Sequence, residues 1–396
     1  MHTRSLLLAL ALLLFCPCAG LAQTSNQLIP SVVMREVTAL RLPGAYIAER
    51  GSYDGFDCNS PLHWDSLGRL HVFSSVTYPY HSVGADLYSL ITPTQVPERV
   101  QINANARAPM VGNLWLEATY RDLNGVLYGW YHNERRSPCA DTHLTIPRIG
   151  AMVSLNEGRT WQDLGIVLQA SDAVMNCATQ NYYFAGGEGD FTVVLDQTRQ
   201  FFYFLFDAYH APKTEQGICV ARMAYADRND PVGKVWKWHQ GNWREPGLNG
   251  RVSPIFPPLV EWHRRDANAL WGPAVHYNTY LDSYVMLLNH AINGEWAQEG
   301  IYVSFNKFPG NPFGWSTPLR LPFDPGGRAY PEVIGVRRGE TDKLLGQTGR
   351  LFLLGESNWE LIFLRPNEAD GLTLKTSVSS RRTASGSPQT VPVRIR

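Results

Sequence analysis

Acidic residues recur where strand-like runs begin and end. From Gly189 to His210 the chain reads G-D-F-T-V-V-L-D-Q-T-R-Q-F-F-Y-F-L-F-D-A-Y-H. Asp190 heads a run of β-branched and aromatic residues, Asp196 to Gln200 form a polar turn, and a second aromatic run returns to Asp207, Tyr209 and His210. Carboxyl groups gathered at one mouth repel one another and lose water, so some stay protonated near neutral pH while others ionise. Such a pair serves general acid–base and nucleophilic chemistry, glycoside cleavage included.

The same hairpin recurs along the chain. Asp57 to Ser75 turns at Ser66 to Gly68, and Trp115 to Glu134 turns at Asn124-Gly125. Trp271 to His290 follows, then Tyr330 to Ile334 returning as Arg350 to Glu356. Between hairpins a second pattern repeats as Gly150 to Ser154, Gly217 to Ala221 and Gly300 to Ser304, each followed by a turn and a Trp-bearing segment. A hairpin plus two more strands makes a four-stranded unit, and units begin at Asp57, Trp115, Asp190, Trp271 and Tyr330. Five such sheets set radially predict an all-β, five-bladed β-propeller of four-stranded antiparallel blades. Alternation in Val32 to Leu42 supplies a strand that closes the last blade, and the insertions fall at Ser137 to Arg148, Ala170 to Glu188 and Arg222 to Asn268.

In a propeller the start of the first strand and the end of the second share a rim. That rule gathers Asp57, Glu134, Glu188, Asp190, Asp207, His210, His290, Glu332 and Glu356, with Tyr131, His132 and Tyr209. Glu117, inside a first strand, faces the channel by alternation. Asp57 and Asp190 are the leading pair. Glu134, beside His132, is the first candidate for a proton donor and Glu332 the second. Glu188, Glu117, His132, His210, His290, Arg222, Arg328 and Trp271 are candidate substrate contacts. For each the competing role is plain: Asp caps turns, Glu134 can pair with Arg135, histidines near strand ends are commonly structural, and arginines brace loops.

Arg4, the apolar run Leu6 to Phe15 and Leu21-Ala22 form a secretory signal over residues 1–22, too short to span a bilayer, so the chain is expected to be exported to the periplasm or beyond. The propeller is expected over 23–366 and a Ser-, Thr- and Arg-rich tail over 367–396. No later stretch reads as a membrane helix. Removal of 1–22 leaves 34 basic and 35 acidic residues, a balance that argues against nucleic-acid partners. Aromatics at 12 % suit sugar stacking. Cys58, Cys139, Cys177 and Cys219 remain, allowing two disulfides with the pairing open, and their spacing matches no zinc motif, so no metal ligands are assigned.

The blade openings resemble the five-bladed glycosidase superfamily that includes glycoside hydrolase families 43, 32, 62 and 117. Asp57-Cys-Asn-Ser-Pro61 stands where the family carries its base or nucleophile, and Asp190-Phe-Thr192 where a third-blade acid orients substrate and tunes pKa. Trp271-Gly-Pro273 stands where the family carries Glu-Gly-Pro and its general acid. The resemblance implies an exported glycoside hydrolase with a carbohydrate substrate, arabinofuranosides among the expected ones. It implies no required cofactor and admits a structural calcium in the channel. Ser154-Leu-Asn-Glu-Gly-Arg-Thr-Trp161 also resembles the sialidase Asp-box, with Asn156 in place of Asp. Two other readings stand beside the first: a six-bladed, sialidase-like hydrolase and a non-catalytic carbohydrate-binding propeller.

Overall fold

Each hairpin anticipated from sequence folds, and each begins a sheet. In a computed structural model the described residues are 29–366 and 368, apart from 44–45, 48–51, 54–55, 92–96, 106–111 and 141–142. The expected signal segment and, Glu368 excepted, the tail lie outside the described residues. No helix among the described residues is long and apolar enough to cross a membrane.

Blade I comprises Leu62–Trp64, Leu70–Ser74, Tyr80–Gly84 and Glu98–Arg99. Blade II runs Asn113–Arg121, Leu127–Arg136, Thr145–Ser154 and Thr160–Leu168, with Gln101–Asn103 added in parallel at its outer edge. Blade III is Glu188–Leu195, Phe201–Tyr209, Gln216–Ala224, Val235–His239 and Asn242–Pro246. The last two of these strands fall within the segment expected to be an insertion. Blade IV is Ala269–Asn278, Ser283–Ala291, Gln298–Asn306 and Leu319–Arg320, and Leu344–Leu345 pairs in parallel with its first strand. Blade V is Pro331–Gly335, Thr348–Leu353 and Glu356–Leu364, completed by Ser31–Arg41 from the start of the chain, with Ser31 opposite Leu364. The ring therefore has five blades, as the repeat spacing predicts, and the six-bladed sialidase reading falls.

Local chemistry explains the hairpins. Gly125 takes a φ of 87° that a side chain would resist, closing the Asn124-Gly125 turn. Asp196 Oδ1 accepts from the Gln200 amide at 2.8 Å and fixes the turn of the third hairpin. The second strand of blade III is buried along nearly its whole length because both faces pack on neighbouring sheets. Ser154 to Trp161 does the turn work of an Asp-box: Asn156 Oδ1 accepts from the Thr160 amide at 2.9 Å, Ser154 Oγ from that of Gly158 at 2.9 Å, and Trp161 is fully buried.

One disulfide forms, Cys139–Cys177, bridging two insertions. Cys58 and Cys219 are buried free thiols. The expectation of two bridges is corrected: Cys58 sits among acids at the blade I entry and Cys219 lies in the third strand of blade III.

Blade I holds an aromatic stack of His63, His71, Phe73 and His81, with ring centroids 4.6–5.8 Å apart. Asp65 can only accept, so His71 donates through Nε2 at 3.2 Å, and its Nδ1 accepts a hydrogen bond from His81 Nε2 at 2.8 Å. His63 Nε2 donates to Glu157 at 2.9 Å, and Arg121 grips the same carboxylate at 2.7 Å, joining blades I and II.

Burial and the His63 charge push His71 down to about 4, and burial and His71 push His81 down to about 3, from an ordinary 6.5. Both support the fold fully above pH 6.5, and that support fades as pH falls through their folded values. Burial raises Glu157, but His63 and Arg121 outweigh it and lower the group from 4.5 to about 2. Its contribution is present above pH 4.5 and is lost as pH falls through about 2. The part of the stability owed to His71 and His81, read by chemical denaturation as the difference between wild type and a His71→Gln, His81→Gln variant, should accordingly shrink with acid below pH 6.5. Glu157→Gln should cost about 1–3 kcal/mol at neutral pH, where the carboxylate bonds two partners, with the difference from wild type shrinking below pH 4.5. An unchanged denaturation midpoint at neutral pH would refute the tie.

Candidate active site

The strands that carry the acids are distorted where they meet the channel mouth. Register shifts fall between Trp130 and Tyr131, between Gly189 and Phe191, and between Trp271 and Ala274, in blades II, III and IV. Such bulges break the alternation of side chains and re-aim them. Three residues at the mouth hold a left-handed backbone without being glycine: Asp190 at φ 41°, Tyr330 at φ 54° and Trp296 at φ 62°. Seven other non-glycine residues elsewhere in the described structure share this backbone, but these three line one cavity and set the direction of its side chains.

That cavity measures about 320 Å³ and is lined by the carboxyl groups of Asp57, Glu134, Asp190 and the exposed Glu295, with His132 and Cys58. Its walls are Trp115, Tyr183, Phe184, Trp271, Trp296 and Tyr330. Trp271 packs on Trp296 at 4.6 Å and on Tyr330 at 5.1 Å between ring centroids, so the aromatic wall is rigid. Asp57, Glu134, Asp190, His132 and Trp271 are thus brought together, as their positions in the repeat imply. Asp57 lies in the connection ahead of its strand, held by its own amide donating to Ser75 O at 2.9 Å, and its side chain is open to the cavity.

The surrounding protein penalises charge on Asp57 most, Glu134 repels it further, and against the pull of His132 it rises to about 6. Burial is again the first cause for Asp190, which rises to about 7 despite His132 and a 2.6 Å hydrogen bond from the Tyr209 hydroxyl. Tyr330 Oη lies 3.4 Å from the other oxygen of Asp190. Burial opposes charge on His132, yet the carboxylates of Glu117 and Glu134 prevail and raise it well above 6.5. His132 Nδ1 is 3.2 Å from Glu117 Oε1 and 3.1 Å from the Asp190 amide nitrogen. One nitrogen cannot donate to the first and accept from the second, so ring protonation decides which contact is a hydrogen bond.

Other expected site residues do different work. Glu332 is buried, both its oxygens accept from the Ser60 amide at 3.1 Å, and it is not among the residues that line the cavity; it braces the segment that carries Asp57. Glu117 is buried and accepts from the Phe191 amide at 2.9 Å. Glu188 is fully buried against Lys237 at 2.6 Å and His210 at 3.1 Å, and His210 also meets Glu215, so neither lines the cavity. His290 is occupied by Glu299 and Asn268. Arg222 stacks on Phe201 and Trp243 at a separate outer cavity of blade III, and Arg328 bonds Pro325 O.

Trp271 occupies the wall where the resemblance places a general acid, and its backbone is pinned: Asp207 Oδ2 accepts from the Gly272 amide at 2.7 Å. Sequence reasoning missed Tyr183, Phe184, Glu295 and Trp296, which sit between strands where no periodicity flags them, and Gln298, the first residue of the third strand of blade IV. It also set Cys58 aside as a bridge-former.

Calcium does not fit the compact donor set here. Cys58, Glu117, His132 and Asp190 offer ligand atoms within 4.8 Å of one another, whereas calcium takes six to eight oxygens.

No family model matches the chain, and no curated protein matches it. Among solved structures it is similar to an exo-β-1,3-galactanase from Phanerochaete chrysosporium bound to galactose, at 10 % identity and a TM-score of 0.46, over 84 % of this chain and 66 %, just under two thirds, of that one. It is similar to the catalytic domain of a GH62 α-L-arabinofuranosidase from Coprinopsis cinerea, at 10 % identity and a TM-score of 0.48, over 83 % of this chain and 95 % of that one. An α-L-arabinofuranosidase from Lactobacillus brevis matches at 14 % identity and a TM-score of 0.48, over 79 % of this chain and 91 % of that one.

Gly189 lets the His132 ring lie against the backbone that presents Asp190: an added Cβ would come within 2.6 Å of His132 Cε1 and 2.7 Å of Pro147 Cβ. Gly189→Ala should therefore cost about 1–3 kcal/mol in unfolding experiments, as overpacking does. A stability equal to wild type would show that the ring has room to move.

Proposed function

We propose that this chain is an exported glycoside hydrolase that acts on a terminal sugar of an oligosaccharide or polysaccharide. The observation that carries the reading is the convergence of Asp57, Glu134 and Asp190 in one small cavity walled by Trp115, Trp271 and Tyr330. Aromatic faces hold a sugar ring by its C–H groups while carboxyl groups meet its hydroxyls and its anomeric centre. A cavity at the lower end of the usual ligand range of roughly 300–1,000 Å³ suits one end of a chain rather than its middle.

In this reading Glu134, resupplied with a proton by the His132 ring 3.5 Å away, protonates the leaving oxygen and Asp57 acts as base or nucleophile. Asp190, anchored by Tyr209 and Tyr330, orients the sugar. The wall position of Trp271 supports Glu134 over a fourth-blade donor, because blade IV presents an indole where the acid is expected. The chemistry calls for no cofactor. Arabinofuranosides are the first substrates to try, followed by β-1,3-linked galactosides.

The same indole favours a second reading, a propeller that binds carbohydrate without cleaving it. A panel of aryl glycosides and plant and bacterial oligosaccharides separates the two. Hydrolysis of one member, reduced roughly 10²-fold or more in kcat/KM by Glu134→Gln and by Asp57→Asn with melting temperature unchanged, is the expected outcome. Full activity in both variants would overturn the assignment. Saturable binding without turnover across the panel would establish the binding reading instead.

A further inference from the structure

We propose that Cys58, Glu117, His132 and Asp190 form a closed structural site for one thiophilic divalent metal ion of the zinc type. The four side chains come from the entry to blade I, both inner strands of blade II and the first strand of blade III, yet their ligand atoms lie within 4.8 Å of one another. All four are buried, at 1–6 % exposure. Cys58 is a free thiol rather than half of a bridge. Charge contacts rather than a full set of hydrogen bonds hold this cluster: Glu117 Oε1 is 3.2 Å from His132 Nδ1 and His132 Nε2 is 3.5 Å from Glu134 Oε1, yet neither Glu117 Oε1 nor His132 Nε2 makes a well-formed hydrogen bond.

One thiolate, one imidazole and two carboxylates complete a tetrahedral shell. Zinc binds sulfur at about 2.3 Å and nitrogen or oxygen at about 2.0–2.2 Å, which sets ligand atoms roughly 3.3–3.8 Å apart. The set thus needs to contract by about an ångström, within the reach of side-chain rotation. Sulfur and nitrogen donors select against calcium and magnesium, which favour oxygen. Binding releases the Cys58 thiol proton and the His132 ring proton to solvent, with any proton on Asp190, and the cation takes over from the imidazolium as the charge that holds Glu117 and Asp190 together. Because Cys58 follows Asp57 in the chain and Asp190 lines the same cavity, the metal would fix the connection that presents Asp57 and the carboxyl group of Asp190, acting by positioning.

The test uses the full chain, freed of metal with a chelator and reloaded with zinc, cobalt(II) or calcium, and needs no substrate, so its outcome is independent of the hydrolase reading. Expected are one equivalent of zinc retained through gel filtration, a rise in melting temperature with zinc and none with calcium, and a thiolate-to-cobalt charge-transfer band. That band should persist in Cys219→Ser and vanish in Cys58→Ser. Should Cys58→Ser fail to fold, the wild-type and Cys219→Ser cobalt spectra decide. Zinc lost on gel filtration, an adventitious ion only, overturns the proposal. So does a cobalt spectrum without the thiolate band, a band that survives Cys58→Ser, or stabilisation by calcium alone.

Discussion

Neighbouring blades are clamped by buried side-chain oxygens that accept a backbone amide across the seam. Glu117 of blade II takes the amide of Phe191 in blade III, and Asp207 of blade III takes that of Gly272 in blade IV. Asn289 of blade IV takes that of Tyr330 at the entry to blade V, at 3.0 Å, and Glu332 of blade V takes that of Ser60 at the entry to blade I. At the remaining seam Tyr78 donates its amide to Leu114 O at 2.9 Å, and Glu157 reaches His63. An amide at a bulge of an innermost strand, as at Phe191 and Gly272, or at its entry, as at Ser60 and Tyr330, has lost its ladder partner and cannot reach water, so a side chain must satisfy it. The cavity exists because these clamps hold five strand entries at fixed mutual positions.

The clamps also explain which acids face the cavity. A carboxyl group spent on an amide of the next blade is buried and directed sideways. One freed by a bulge or by an irregular connection is directed upward into the mouth. Asp190 is freed by its bulge and left-handed backbone, Glu134 by its place near the end of a second strand, and Asp57 by lying ahead of its strand. Glu332, Glu117 and Asp207 satisfy seams.

Much of this fold was legible in the sequence because β-strands alternate with period two and Gly- and Asn-bearing turns punctuate them. The starts expected for blades II to V fall within two residues of the observed strands at Asn113, Glu188, Ala269 and Pro331. Blade I differs, since Asp57 precedes Leu62 by a connection that has no strand period. The site was legible as a set of rim acids but not as a division of labour. Whether Glu332 or Glu134 reaches the cavity depends on how each carboxyl is partnered across a seam, and that partnering is not encoded in either residue's own neighbourhood. The aromatic wall was hidden for a related reason: Tyr183, Phe184 and Trp296 sit in segments whose conformation is set by packing, with no repeat to reveal their direction.

The strand Ser31–Arg41 completes the blade that ends at Leu364. Synthesised early, it has no partner until almost the whole propeller has emerged, and through that interval it is an unpaired edge with its hydrogen-bonding groups open to any other strand. Ring closure is thus the longest-range step the chain must take, and loop entropy opposes it until the other blades are stacked. A nascent chain stalled before Leu364 would carry four formed sheets, an unfinished fifth and an exposed strand ready to aggregate.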